Sequence, residues 1–387
     1  MFSPLRMQAV QSPVIPIVGE MARARPGVIS LGQGVVYYGP PETISARIEQ
    51  FFASPTSHRY GPVEGIPELL EALRGKLARE NSIRVDAGAG LLVSAGGNMA
   101  FMNAVLAITD PGDEVLLLTP YYFNHHMAIA MAGCRPVPVP TDEHFQPIPD
   151  AIERAITRRT RAVITVSPNN PSGAVYPEAA MRAINEICAL RGIFHIHDEA
   201  YEYFTYGGAQ HFSPASIPGS HTHTISLFSF SKSYGLAGWR MGYMVFPASL
   251  TNSIKKIQDT ILICPPLISQ YAALGALDAG RDYCDKKQQV ISEARTTALL
   301  ALQELSDICD TPAAEGAFYL LIRVRTELSP MELVKRLIEQ YGVALMPGDA
   351  FGLTDGCSLR IAYGALQPGA TAEAVHRLTT GLRALAR

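Results

Sequence analysis

Residues 229–243 read SFSKSYGLAGWRMGY. One lysine, two hydroxyls and one arginine stand close together here: Lys232, Ser229, Ser231 and Arg240. Gly235, Gly238 and Gly242 let the backbone come near a ligand. A lysine amine condenses with an aldehyde to form an imine. An arginine fork and serine hydroxyls hold phosphate through charge-assisted hydrogen bonds. An aldehyde and a phosphate on one small molecule point to pyridoxal 5'-phosphate. A single lysine is ordinarily a solvated surface group, so the surrounding sequence has to carry the reading.

Working outward, short apolar runs alternate with helical patterns. LLVSAGG (91–97), EVLLLTP (114–120), RAVITVSP (161–168), IFHIHDE (193–199), TISLFSF (224–230) and MGYMVF (241–246) read as strands. Strand–helix alternation with β-branched runs implies an α/β fold with a mainly parallel sheet covered by helices. Ligands of such sheets bind at the carboxyl ends of the strands, and the chemical motifs sit at those ends. A short helix is expected over 14–24. A long helical pattern begins near Ser253, breaks at Pro265-Pro266 and resumes. After about residue 287 a helix, a strand in GAFYLLIRV, a helix over 329–341, a strand in SLRIAYG and a final helix suggest a smaller unit.

Asp198 ends an apolar run, where a carboxylate is costly unless paired. Beside a pyridine nitrogen it favours the protonated ring and makes it an electron sink; as an ordinary residue it caps the next turn. Tyr201 can reach the ring hydroxyl or simply pack. Asn170, in SPNNPSG (167–173), offers an amide at a strand end, although a Pro/Asn/Gly turn needs no functional explanation. In SAGGN (94–98), Gly96, Gly97 and Asn98 present backbone N–H groups at a helix N-terminus, where an anion is stabilised. Tyr122, after another strand end, can stack on a ring.

The spacing Asn170…Asp198…Tyr201…Lys232…Arg240, followed by Arg360 in CSLRIAYG, resembles the class I/II aminotransferases of the fold-type-I pyridoxal-phosphate enzymes. The resemblance runs from LGQG near residue 32 to the last helix. It implies a seven-stranded, mainly parallel sheet in a large domain (46–286) and a smaller α+β domain (1–45 and 287–387) that closes over the site. It implies that Lys232 carries the cofactor as an imine, and that Ser229, Ser231, Arg240 and the turn at Gly96, Gly97 and Asn98 bind its phosphate. Asn170 and Tyr201 would contact the ring oxygen, Asp198 the ring nitrogen and Tyr122 the ring face. Arg360 would grip the substrate carboxylate, helped by Asn170 and the backbone of Gly34. Tyr60, in RYGPVEG, would reach the phosphate of a neighbouring subunit, so a homodimer with shared sites is expected.

Three segments depart from the common pattern: LGQGVVYYGPP, PYYFNHH, and GGNMA, where acid-specific relatives often place a lysine. Val35, Val36, Tyr37 and Tyr38 offer an apolar and aromatic wall, which favours a neutral or aromatic donor such as methionine, phenylalanine or tyrosine. An aspartate aminotransferase, a C–S β-lyase and, more remotely, a non-catalytic ligand sensor share the fold and stay open. Other classes are disfavoured. The 387 residues carry a formal net charge of -3 with no basic block, so neither nucleic acid nor an acidic membrane is an expected partner. No run approaches a membrane span, and six scattered cysteines without a CxxC pair fit reduced thiols. A soluble, cytoplasmic protein is expected. His195 and His197, like His221 and His223, alternate along extended segments, but no further Cys/His/Glu set completes a metal site in the sequence. Packing or surface roles are expected for them, and no metal.

Overall fold

The structure, a computed structural model, describes residues 4–367 and 369–386. Seven strands build the main sheet: β1 (Ala89–Ser94), β2 (Glu114–Thr119), β3 (Arg135–Pro140), β4 (Thr160–Val166), β5 (Phe194–Asp198), β6 (Thr224–Ser229) and β7 (Gly242–Pro247). Their order is β1-β7-β6-β5-β4-β2-β3. All neighbours run parallel except β7, which is antiparallel to both β1 and β6. Side chains alternate across the pleat, and both faces of the sheet are buried. Val115, Leu117, Ile164, Ile196 and Leu227 share a core with Phe101 and Ala104 of helix Gly97–Ile108. Leu116, Leu118 and Val163 pack with Met181 and Ile184 of helix Glu178–Arg191.

Six of the seven strands coincide with the apolar runs of the sequence to within a few residues. The seventh, β3, reads RPVPVP and does not look like a strand. Proline donates no ladder hydrogen bond and is confined to edges. β3 is the edge of the sheet and pairs only with β2, so the residues that hide it from a propensity reading are those an edge tolerates.

A second, four-stranded antiparallel sheet has the order β10-β11-β9-β8, with β8 (Cys309–Asp310), β9 (Tyr319–Val324), β10 (Met346–Pro347) and β11 (Cys357–Ala362). Val14, Val18 and Leu31 share its core with Ile291, Leu320, Leu337 and Leu378, so the two ends of the chain pack together. The change of character read near residue 287 falls inside one helix, Leu267–Gln303. That helix bends at Gly280, whose φ of 65° interrupts the regular backbone. Among the described residues no helix is long and apolar enough to cross a membrane.

One ion pair is sealed within the fold. Lys76, 2% exposed, donates to Glu202 at 2.6 Å and to Asn81 Oδ1 at 2.8 Å. Removing one partner of a buried pair strands the other charge. Lys76→Met is therefore expected to lower stability by about 3–5 kcal/mol, and Lys76→Met/Glu202→Leu to recover much of it. Urea unfolding of the two variants checks this.

Candidate active site

The strand ends converge because of the sheet order. Asp198 is the last residue of β5 and Ser229 the last of β6, while Gly97 opens the helix that follows β1. Antiparallel β7 then does something a parallel strand could not. Its first residue, Gly242, pairs with both Ser94 and Ser229, so Arg240, just before it, hangs at the carboxyl ends of its neighbours. From the other sheet, β11 supplies Arg360.

These residues line one cavity of about 240 Å³. It brings together Gly34, Gly97, Asn98, Tyr122, Asn170, Asp198, Tyr201, Ser229, Ser231, Lys232, Arg240 and Arg360. Five residues singled out in the sequence do not line it: Gly96, Tyr60, and Val36, Tyr37 and Tyr38 of the expected apolar wall, of which only Val35 reaches the cavity. Gly96 does not line the cavity; a Cβ there would meet Arg240 Nη2 at 2.5 Å, so its bareness makes room for the guanidinium. Tyr60 is 82% exposed and does not line this chain's own cavity.

The cavity holds three cationic side chains, Lys232, Arg240 and Arg360, against one carboxylate, Asp198. Arg360 is 1% exposed. Its Nη1 donates to Asn170 Oδ1 at 2.9 Å and its Nη2 to the Gly32 carbonyl at 2.6 Å, while Nε has no partner. Tyr319 and Phe351 cover its faces at 4.6 and 4.9 Å from their ring centroids. No carboxylate among the described residues pairs with it. Arg240 sits in the left-handed backbone region (φ 53°) and donates to the Ala237 carbonyl at 3.0 Å. Such strain in a non-glycine residue tends to mark functional positions. Lys232 Nζ donates to the Gly34 carbonyl at 2.5 Å. Burial, then the fields of Arg360 and Arg240, push its pKa down to about 8, with Asp198 opposing them.

Asp198 is buried and touches His125 Nε2 at 3.1 Å. His125 packs on Phe101, with ring centroids 4.1 Å apart. Tyr201 shares a 2.7 Å hydrogen bond with the Tyr319 hydroxyl and receives a 3.5 Å contact from Asn170 Nδ2. Burial holds the Tyr201 hydroxyl well above its ordinary pKa and that of Tyr319 up to about 12. The Ser229 hydroxyl accepts from the Ser231 N–H at 3.1 Å and caps the turn that carries Lys232.

His125 and Tyr319 were not singled out in the sequence. His125 lies in the quoted PYYFNHH, but nothing local says that its ring meets a carboxylate on another strand. Tyr319 sits in a run that reads as core. The signal for both was tertiary.

The set of donors fits pyridoxal 5'-phosphate: an excess of positive charge for phosphate and carboxylate, a carboxylate for a ring nitrogen, and an amine of lowered pKa for an aldehyde. A family model described as aminotransferase class I and II matches residues 26–378. The aromatic aminotransferase ISS1 of Arabidopsis thaliana is 34% identical, over 98% of this chain and 96% of that protein. An aspartate aminotransferase of Pyrococcus abyssi is 32% identical, over 92% of each. The solved aspartate aminotransferase of Thermus thermophilus with maleate superimposes with a TM-score of 0.90, at 31% identity, over 98% of this chain and all of that one (100%). With a buried amine, an unpaired guanidinium and a strand-end carboxylate meeting in this frame, the chain belongs to the class I and II aminotransferase family and is a pyridoxal-phosphate-dependent transaminase.

Proposed function

We propose that the amino donor is a neutral or aromatic L-amino acid. The observation that supports this is the accounting of cations: the cavity's three are Lys232, Arg240 and Arg360, and each already has a task. Lys232 and Arg240 serve the cofactor and Arg360 the α-carboxylate, so none is left for a distal carboxylate. Asn98 stands where a cation would be needed, and Ile15, Val35 and Tyr122 present apolar surface. An aspartate donor is the second reading, favoured by the relatives named as aspartate or aspartate/prephenate aminotransferases, and it requires a cation from a partner subunit. In a homodimer, Tyr60 would stand on the partner's phosphate. Residues 1–45 and 287–387 would be the domain that closes over 46–286, with the junction inside helix Leu267–Gln303, beyond its bend at Gly280. The six free cysteines suit a cytoplasmic setting.

When bound, pyridoxal 5'-phosphate supplies an aldehyde carbon for the amino group and a protonated ring that delocalises the electron pair left at the substrate's α-carbon. Its phosphate would rest on Ser229, Ser231, Arg240 and the N–H groups of Gly97 and Asn98, at the positive end of helix Gly97–Ile108. Asp198, held by His125, would keep a proton on the ring nitrogen. Asn170 and Tyr201 would bind the ring oxygen, and Tyr122 would cover the ring face. Arg360 orients the substrate by its carboxylate, leaving the α-hydrogen toward Lys232 Nζ. The neutral lysine amine takes that proton and later returns it, acting as base and then acid.

Three outcomes follow. In cofactor-free protein, the rate at which Lys232 condenses with the cofactor aldehyde should rise with pH through a midpoint near 8, because only the neutral amine attacks. A midpoint near the ordinary lysine value of 10.5 would contradict the cavity electrostatics. Lys232→Ala should abolish turnover; retained wild-type rates would remove the lysine from the mechanism. Arg360→Met should lower kcat/KM for amino acids by about 2–5 kcal/mol, the penalty for unpairing a buried charge, with cofactor absorbance retained.

A panel of donors against 2-oxoglutarate tests specificity. Burying a large apolar side chain is worth about 1.5–3 kcal/mol, so kcat/KM for phenylalanine should exceed that for aspartate by roughly tenfold or more. Asn98→Lys should narrow the gap. A clear preference for aspartate in the unaltered protein would reject this reading and favour the second.

A further inference from the structure

The opposite face of β5 carries a second cluster that the reaction does not use. Asp198 points to the cavity, whereas His195, His197 and Glu199 alternate onto the other side. His197 and Glu199 are wholly buried. The loop after β5 brings His211 back over them, 2.8 Å from Glu199 Oε2. One ligand atom from each of His197, Glu199 and His211 lies within 4.8 Å of the others. The His195/His197 alternation visible in the sequence lacked a completing set; the fold supplies it.

From these positions we infer that His197, Glu199 and His211 form a structural site for a divalent metal ion of the zinc class. Three buried atoms here have no protein partner: His197 Nε2, Glu199 Oε1 and His211 Nδ1. Glu199 is a carboxylate with 0% exposure whose polar contacts are His211 and the Ser213 hydroxyl. The nearby lysine, Lys76, is committed to Glu202. A buried carboxylate needs a compensating cation. A proton on His211 would meet part of that need but leave His197 Nε2 and Glu199 Oε1 without partners. Two imidazoles and a carboxylate are a ligand set for zinc, bound at about 2.0–2.2 Å. Such bonds bring tetrahedral ligand atoms to about 3.4 Å of one another, so the side chains would close by about an ångström, with water as the fourth ligand.

The outer contacts suit ligation. The Thr165 hydroxyl bridges His197 Nδ1 (2.6 Å) and His195 Nε2 (2.8 Å), and Asn185 Nδ2 meets His195 Nδ1 at 3.1 Å. A hydroxyl has one hydrogen to give, so this relay runs in one of two senses. If His197 Nδ1 donates to Thr165, then Thr165 donates to His195, and Asn185 turns its amide oxygen to His195. His197 Nε2 then presents a lone pair to the metal, oriented from behind in the manner of metal-bound histidines. The reverse sense puts a hydrogen on Nε2 and suits a buried water instead.

The test is metal content of the tag-free holoenzyme, dialysed against excess Zn²⁺ or Co²⁺ and then freed of unbound metal. The expected result is about one ion per chain, a Tm that rises with free metal, and visible Co²⁺ bands of a low-symmetry site. Glu199→Gln, which keeps the shape and the contacts to His211 and Ser213, and His211→Gln should each lose the ion while cofactor absorbance persists. Wild-type protein that retains no stoichiometric metal overturns the proposal, whatever the variants do. Metal binding equally tight in both variants overturns it too, because the ion would then lie elsewhere.

Discussion

Everything in the cavity answers to an excess of positive charge. Three cationic side chains face one carboxylate, and the most deeply buried of them, Arg360, has no anion of its own. Isolated charges in an interior are costly, so the protein spreads the compensation. Two oxygens, from Asn170 and Gly32, take two guanidinium hydrogens, and the rings of Tyr319 and Phe351 cover its faces. These neutral groups reduce the penalty without cancelling the charge. The remainder is stored as affinity for an anion. The same field depresses the lysine: with Arg360 and Arg240 nearby, the buried amine of Lys232 is easier to hold neutral. Recognition of an acid and readiness of an amine are two results of one electrostatic arrangement.

The arrangement depends on strand order more than on any loop. A parallel strand following β6 would carry Arg240 to the far end of the sheet. Antiparallel β7 reverses direction between β6 and β1, so the residue before its first pair stands beside Ser229 and the glycine turn. Gly96 completes the fit by being bare where the guanidinium passes. Across the cavity, Tyr201 and Tyr319 join hydroxyls at 2.7 Å. That bond links the loop after β5 to β9 of the second sheet, next to Arg360 on β11, which pairs with β9 in register. A displacement of the second sheet is therefore felt at once by the residues that would hold cofactor and substrate.

Much of this was legible in the sequence because the chemistry is clustered in short motifs at strand ends. SFSK, the turn SAGGN, Asn170 and Asp198 each follow an apolar run, and the run predicts where the motif will stand. Legibility failed where the decisive partner is distant. His125, on the helix Phe123–Met131 that follows β2, meets Asp198 only because the sheet order leaves a single strand, β4, between the ends of β2 and β5, and Tyr319 meets Tyr201 only because two sheets abut. β3 failed for another reason: its three prolines argue against a central strand, and strand order is what identifies it as an edge. The boundary read at residue 287 lies within a helix, because local composition changes there while the hydrogen-bonded backbone does not. Gly96 shows a subtler miss. Its glycine was read as a ligand contact, whereas the structure uses it to admit Arg240.

β5 shows how one strand can serve two sites without mixing them. The alternation of its pleat sends Asp198 to the cavity and His197 and Glu199 to the other face. Their neighbours follow the same register: Thr165 pairs with His197 and Val166 with Asp198. Val166 lines the cavity, and Thr165 binds the imidazoles behind it. A restraint on His197 and Glu199 therefore acts on the backbone from which Asp198 projects, without sharing a ligand with it. In its proposed role Asp198 would have to keep its distance to a ring nitrogen within hydrogen-bonding tolerance, and the chain leaves β5 immediately after it. Tying Glu199, the next residue, to His211 closes that exit into a short loop. The buried polar cluster thus has a reason to lie where it does: it steadies the end of the strand whose carboxylate the chemistry needs.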